Sequence, residues 1–144
     1  MHKFKLQKLL DIKIKDEDES KLKYTQAQNN KNIVEENLKK LEKSYEKYSD
    51  ISNILDTVTQ KITINYLSSL NYSIKTTNEE LTIQEAKLDK AKVDLVEKQI
   101  KRKSLEILKE NMLEKLKKEE QRVEQITNDE FALYAYMRNR ASLS

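Results

Sequence analysis

Val34-Glu35-Glu36-Asn37-Leu38-Lys39-Lys40-Leu41-Glu42-Lys43-Ser44-Tyr45-Glu46-Lys47-Tyr48 decides the fold of this chain. Its apolar residues Val34, Leu38, Leu41, Tyr45 and Tyr48 are spaced four, three, four, three, which is the alternation of a coiled-coil seam. Reading onward, Ile51, Leu55, Val58 and Ile62 continue the stripe after a three-residue slip, the mark of a stammer. Leu81, Leu88 and Leu95 then occupy every seventh position, with Gln84 and Ala91 between them. Leu105, Leu108, Met112, Leu116, Val123 and Ile126 carry a stripe towards the C-terminus. A disordered chain would not keep this phase.

The polar residues agree. Glu17 precedes Lys21, Glu19 precedes Lys23, Glu35 and Glu36 precede Lys39 and Lys40, and Asp94–Lys98, Glu97–Lys101 and Glu114–Lys118 repeat the order. Acid four residues before base is the favourable arrangement on an exposed helix, worth about 0.2–0.5 kcal/mol per pair. One continuous helix of this chain would exceed about 200 Å. A narrow stripe cannot bury itself, so the helix needs a second chain or its own other half.

Composition narrows the alternatives. None of the 144 residues is Gly, Pro, Cys or Trp, where an average chain devotes about 7% to Gly and about 5% to Pro. Tight hairpins and a many-stranded sheet are therefore disfavoured, and glycine-dependent phosphate cradles are excluded. Without Cys there is no disulfide and no thiolate zinc site, and the single His leaves little for a metal. Charged residues make up 37%, and the mean hydropathy is −0.88, a balance met in disordered chains and in long helices with a thin stripe. No run of 18 apolar residues spans a membrane, and Met1-His2-Lys3 is followed by no apolar signal segment. A cytoplasmic location is expected. The net charge of +3 is divided evenly between the halves and does not argue for nucleic acid.

Two stretches offer a turn. Residues 49–59 mix Ser, Asn, Asp and Thr with β-branched residues, which are weaker helix formers, and Thr57 with Gln60 fits a capping box. Residues 71–78 are the other, with Thr77 and Glu80 as a second box, and equal arms favour it slightly. With no glycine the loop must be several residues long or place Asn in the left-handed region. The reading is all-α, a helical hairpin with uneven arms.

The ends carry a resemblance. Phe4-Lys5-Leu6-Gln7-Lys8-Leu9-Leu10-Asp11-Ile12-Lys13 resembles the opening of the FliJ family of flagellar type III export proteins, which often begin F-[KR]-L-Q-K-[LV]-L-[DE]-[IY]-[RK]. Asn65-Tyr66, and Asp129-Glu130-Phe131-Ala132 with Arg138, match in the same order. The resemblance implies an antiparallel two-helix coiled coil similar to the central stalk of rotary ATPases, without enzymatic activity or cofactor. It selects the earlier turn, with helix 1 at about 3–54, the turn at about 52–60, helix 2 at about 60–138 and a tail at 139–144. It further implies three partners: the hexameric export ATPase, the cytoplasmic part of the membrane export gate, and export chaperones. Membrane association would then be peripheral, through partners, and the hairpin a monomer.

Two residue sets are candidate partner surfaces. Lys3, Lys5 and Lys8 on helix 1 and Arg138 and Arg140 on helix 2 would form a basic end that enters the ATPase ring, where acidic groups could steer it; the bland reading is a solvated helix end. Near the turn, Tyr45, Tyr48, Tyr66 and Tyr72 join Leu41 and Leu70. Seven Tyr against two Phe suits an exposed interface, since Tyr couples apolar area to a wet hydroxyl. Leu41, Tyr45, Tyr48, Tyr66 and Leu70 are the residues expected at the export gate; the competing view makes Tyr45 and Tyr48 seam core.

Other features carry no chemistry. His2 is terminal and alone. The acids of Asp16-Glu17-Asp18-Glu19 and Glu119-Glu120 point to different faces and read as solvated, without the burial that acid–base catalysis requires. Lys98-Gln99-Ile100-Lys101-Arg102-Lys103 is basic, yet Asp94 and Glu97 can pair with it, so nucleic-acid binding is not expected. The apolar Phe131-Ala132-Leu133-Tyr134-Ala135-Tyr136-Met137 is either the seat of Phe4, Leu6 and Leu10 or a sticky partner segment, and a weak amphipathic membrane contact stays open. Besides an export component, a generic coiled-coil chaperone or scaffold and a self-associating structural coiled coil fit the residues; association with the export ATPase and sedimentation separate the three.

Overall fold

The computed structural model describes residues 4–142, and among them there are two helices and no strand. Helix α1 covers Gln7–Tyr48 and helix α2 covers Thr57–Ser142. The two long helices pack together as a helical hairpin. The described chain forms two compact units, one of residues 14–99 and one that brings together the segments on either side of it.

In the first unit, Ser20 Oγ donates to Asp94 Oδ2 at 2.7 Å, and the Tyr48 and Tyr66 rings meet edge to face with centroids 5.5 Å apart. Between these two cross-pairs α1 advances by 28 residues while α2 retreats by 28. The helices are therefore antiparallel, and the register runs through four whole heptads without a slip. Along α1 the residues in seam alternation, Glu17, Ser20, Tyr24, Ala27, Lys31, Val34, Leu38, Leu41 and Tyr45, are all covered. On α2 the covered residues in seam alternation are Gln60, Thr63, Leu67, Leu70, Ile74, Thr77, Leu81, Gln84, Leu88, Ala91, Leu95 and Lys98. The apolar core of this unit is Val34, Leu38, Leu67 and Leu70, which keep only 6–8% of their surface, while the polar Glu17 and Ser20 keep 3%. Each of these apolar side chains contributes about 1.5–3 kcal/mol by leaving water.

The second unit joins residues 4–13 to residues 100–142. Lys109 Nζ donates to Gln7 Oε1 at 2.7 Å. Phe4 and Leu10, one turn to either side of Gln7, are buried. The α2 seam runs on through Arg102, Leu105, Lys109, Met112 and Leu116, and every described residue after Leu116 is exposed.

Several expectations need correction. The stripe does not continue through the connection: Leu55 is fully exposed, and Val58 and Ile62 are exposed as well, because the chain reverses there and residues 49–56 belong to neither seam. Leu108 is exposed while Lys109 lies on the seam. The reversal is earlier than 52–60, since α1 stops at Tyr48 and α2 has begun by Thr57. At the other end α2 runs to Ser142, where a tail from 139 was expected.

The connection reverses without glycine and without a positive-φ residue. Ser49 closes α1, its Oγ donating to the Glu46 carbonyl at 2.8 Å. The Asp50 carboxylate then accepts bonds from the Ser52 amide and hydroxyl and from Asn53 Nδ2, an Asx-type turn. The N-cap of α2 is Asp56 rather than Thr57. Asp56 Oδ1 accepts the Val58 amide at 3.2 Å and Oδ2 the Thr59 hydroxyl at 2.8 Å, satisfying a donor that the first turn leaves open. Gln60 reaches back past the cap, its Nε2 donating to the Ile54 carbonyl at 2.6 Å.

The alternative turn at 71–78 is helix. Within it Thr76 bonds back four residues, its Oγ1 donating to the Tyr72 carbonyl at 2.9 Å, as Thr63 and Thr82 elsewhere in α2 do to Thr59 and Asn78. A hydroxyl satisfied in this way stops competing with the helix. Four of the acid-first pairs form ion pairs, Glu17–Lys21, Glu35–Lys39, Asp94–Lys98 and Glu114–Lys118, at 3.4 to 4.0 Å.

Candidate functional site

The aromatic set lies where the seam meets the connection. Tyr48 and Tyr66 retain 41% and 45% of their surface while holding each other at an interplanar angle of 85°. Lys47 Nζ sits 5.3 Å from the Tyr48 ring centroid, within cation–π range. Leu41 and Tyr45 are half-buried on the α1 seam, and Leu70 is buried on the α2 seam. The five residues thus share one end of the helix pair but divide by role. Leu70 is core, Leu41 and Tyr45 are seam, and Tyr48 and Tyr66 meet each other edge to face while both stay exposed. Tyr72 is exposed.

The basic set is not brought together. Lys8 in the first turn of α1 and Lys5 just before that helix are both exposed, on either side of the Gln7 that bonds Lys109. Arg138 and Arg140 are exposed near the end of α2. Twenty-nine residues of helix separate Lys109 from Arg138, about 43 Å at 1.5 Å per residue. They are two cationic surfaces rather than one. Lys3 lies outside the described residues, as does His2.

Between the two cationic surfaces runs the bare part of α2, residues 117–142. Phe131, Leu133, Tyr134, Tyr136 and Met137 are all exposed, so they are not the seat of Phe4 and Leu10, which are buried around the Gln7–Lys109 contact. Earlier in the same stretch Arg122 Nε and Nη2 grip the Glu119 carboxylate at 3.2 and 2.7 Å. That bond holds Glu119 below its ordinary 4.5 and raises Arg122. At the cap of α2, the bonds from the Thr59 hydroxyl and Val58 amide hold the Asp56 carboxyl below its ordinary 3.8.

Glu17 departs from the solvated reading of the acidic run. It is buried on the α1 seam, with Lys21 at 3.4 Å. The basic run 98–103 is partly neutralised: Lys98 pairs with Asp94 at 3.9 Å, and Arg102 with Glu106 at 2.6 Å. Among the described residues no group of His, Cys, Asp or Glu is arranged to hold a metal ion. No helix among them is long and apolar enough to cross a membrane.

What the geometry offers is surfaces for macromolecules: an aromatic patch at one end of the packed helices, and an uncovered helix with separated cations. The seam between Ser20 and Lys31 was hidden in the sequence because its residues are polar or small. The 3–4 spacing extended outward from Val34 would have found it. Compared with known proteins, the chain matches the family model described as "Flagellar FliJ protein" over residues 1–141. Neither a curated protein nor a solved structure matches it.

Proposed function

The chain belongs to the family of flagellar FliJ proteins, and on that premise we propose that it binds and stimulates the hexameric export ATPase, couples it to the membrane export gate and escorts export chaperones. Membership makes it a non-enzymatic component of flagellar export. The match over residues 1–141 carries the reading, because it takes in both helices, the connection and nearly all of the bare end of α2.

The residues give the proposal its shape. Arg138 and Arg140, at the far end of the uncovered helix, are free of any covering element and can enter a ring lined with acidic groups; Lys5 and Lys8 form a second, separate contact. Tyr48 and Tyr66, half-exposed and mutually braced, supply the apolar, hydrogen-bonding edge for the cytoplasmic part of the gate, with Leu41, Tyr45 and Leu70 behind them. The protein works in the cytoplasm as a monomer and reaches the membrane only through its partners.

The deciding experiment adds the purified chain to its cognate export ATPase and follows ATP hydrolysis and hexamer formation. Both should rise, and charge reversal at Arg138 and Arg140 should abolish most of the rise. An ATPase indifferent to the chain would refute the proposal, and full stimulation by the reversed variant would remove the arginines from it.

A further inference from the structure

Leu55, Val58 and Ile62 have the spacing of a seam and belong to none. Leu55 is fully exposed, and Val58, Ile62 and then Tyr66 keep 64%, 63% and 45% of their surface. Val58, Ile62 and Tyr66 follow one another at four-residue steps, so they share one side of the first turns of α2. Other exposed apolar residues of this unit, such as Leu22, Ile33 and Ile83, stand singly, which is ordinary for a protein surface. This cluster is contiguous, and it runs into the Tyr48–Tyr66 pair.

Local bonds hold the cluster out. Leu55 precedes the Asp56 cap, the position from which an apolar side chain often packs on the fourth residue of the helix. Here that residue is Gln60, and its Nε2 is committed to the Ile54 carbonyl at 2.6 Å. The Asp56 carboxylate meanwhile holds the Val58 amide and the Thr59 hydroxyl. Leu55 therefore stands between two braced groups without an apolar partner, a presentation that leaves little ordering to be done when something covers it.

The tyrosine surface needs such a neighbour. A standard protein interface takes about 800 Å² from each partner. Two rings that are each less than half exposed fall short of that, with Leu41 and Tyr45 half-buried and Leu70 buried behind them. A partner that holds Tyr48 and Tyr66 must also cover what adjoins them. From Tyr66, the same side of α2 continues as Ser69 and Ser73 in one direction and as Ile62 and Val58 in the other. The fully covered centre of an interface is apolar and poor in charge, and that composition lies towards the connection.

We propose that the cytoplasmic part of the export gate seats Leu55, Val58 and Ile62 in an apolar pocket beside the surface that receives Tyr48 and Tyr66. The inference rests on the reading that these tyrosines meet the gate, and it makes Leu55 the anchor of that contact.

The test titrates the full chain, labelled for fluorescence anisotropy, with the purified cytoplasmic part of the gate. Leu55→Ser should weaken binding by about tenfold or more, the equivalent of leaving one leucine unburied, and Leu55→Met should recover most of the loss. Neither change should move the melting of the chain, since Leu55 touches no seam. Leu22→Ser, at an isolated exposed leucine of α1, should bind like the parent. The chain should also stay off vesicles of phosphatidylcholine and phosphatidylglycerol and sediment as a monomer. A parent that binds the gate while Leu55→Ser binds it equally well overturns the inference and leaves the tyrosine reading standing; a gate that ignores the parent chain overturns both. Vesicle binding or a dimer that Leu55→Ser abolishes overturns the inference too, making lipid or a second copy the occupant.

Discussion

Leu67 and Leu70 on one side, Leu133 and Met137 on the other, occupy the same phase of the same helix, yet the first pair is buried and the second lies open. The difference is not in α2 at all. It lies in what stands opposite: Tyr45 and Tyr48 for the first pair, and no described residue for the second. Periodicity selects a face of a helix; whether that face becomes core depends on how far the other strand of the seam reaches.

The sharpest way to break this comparison is to truncate one leucine from each region. Leu70→Ala should lower stability by about 2–4 kcal/mol, the range for removing a buried leucine, read by urea denaturation followed by circular dichroism. Leu133→Ala should stay within about 0.5 kcal/mol, as exposed substitutions do. Equal losses would mean that the bare segment is covered in solution. Next in size is Tyr48→Ala, which removes the edge-to-face pair with Tyr66 and should cost about 0.5–1.5 kcal/mol beyond the lost area. A loss of gate binding much larger than that change in melting would assign the ring's exposed side to the partner.

Much of the fold was legible in Val34–Tyr45 and in Leu81, Gln84, Leu88, Ala91 and Leu95, where bulky residues alternate cleanly with charge. It was illegible where the seam turns polar. Glu17 and Ser20 are buried because the register carries them there, not because of their own hydropathy, and no apolar stripe announces them. The reversal was misplaced by a few residues for a related reason. Ile51, Leu55, Val58 and Ile62 are spaced like a seam, but Asp50 and Asp56 offer carboxylates to the local backbone, and those bonds end one helix and start the other. For the candidate surfaces, the tyrosines were found by composition. The separation of Lys5 and Lys8 from Arg138 and Arg140 could not be, because it depends on where α1 meets α2.

The polar seam supplies the third test. Ser20→Ala leaves Asp94 without its cross-helix donor and should cost about 1 kcal/mol, visible as a lower urea midpoint, while Ser104→Ala on the outer face of α2 should not move it. The smallest effect concerns the cap. Asp56 has a folded-state value below its unfolded 3.8, so its contribution is complete above that pH and is lost as pH falls through the lower folded value. Asp56→Asn can still accept the Val58 amide but does not titrate. Between about pH 5 and about pH 3 its urea midpoint should fall less than that of the parent chain. An identical fall in both would remove the cap from the acid response.

The eight-residue connection also fixes the order in which the chain can assemble. The Tyr48–Tyr66 contact closes a loop of about 18 residues, whereas Ser20–Asp94 and Gln7–Lys109 lie 74 and 102 residues apart in sequence. Starting from the last rather than the first would cost about 1.5 kcal/mol more in loop-closure entropy. Folding should therefore nucleate beside the connection and zip towards Gln7, each formed layer shortening the loop that the next must close. The same gradient places the least protected amides of the paired helices at the Gln7 end, next to the uncovered seam.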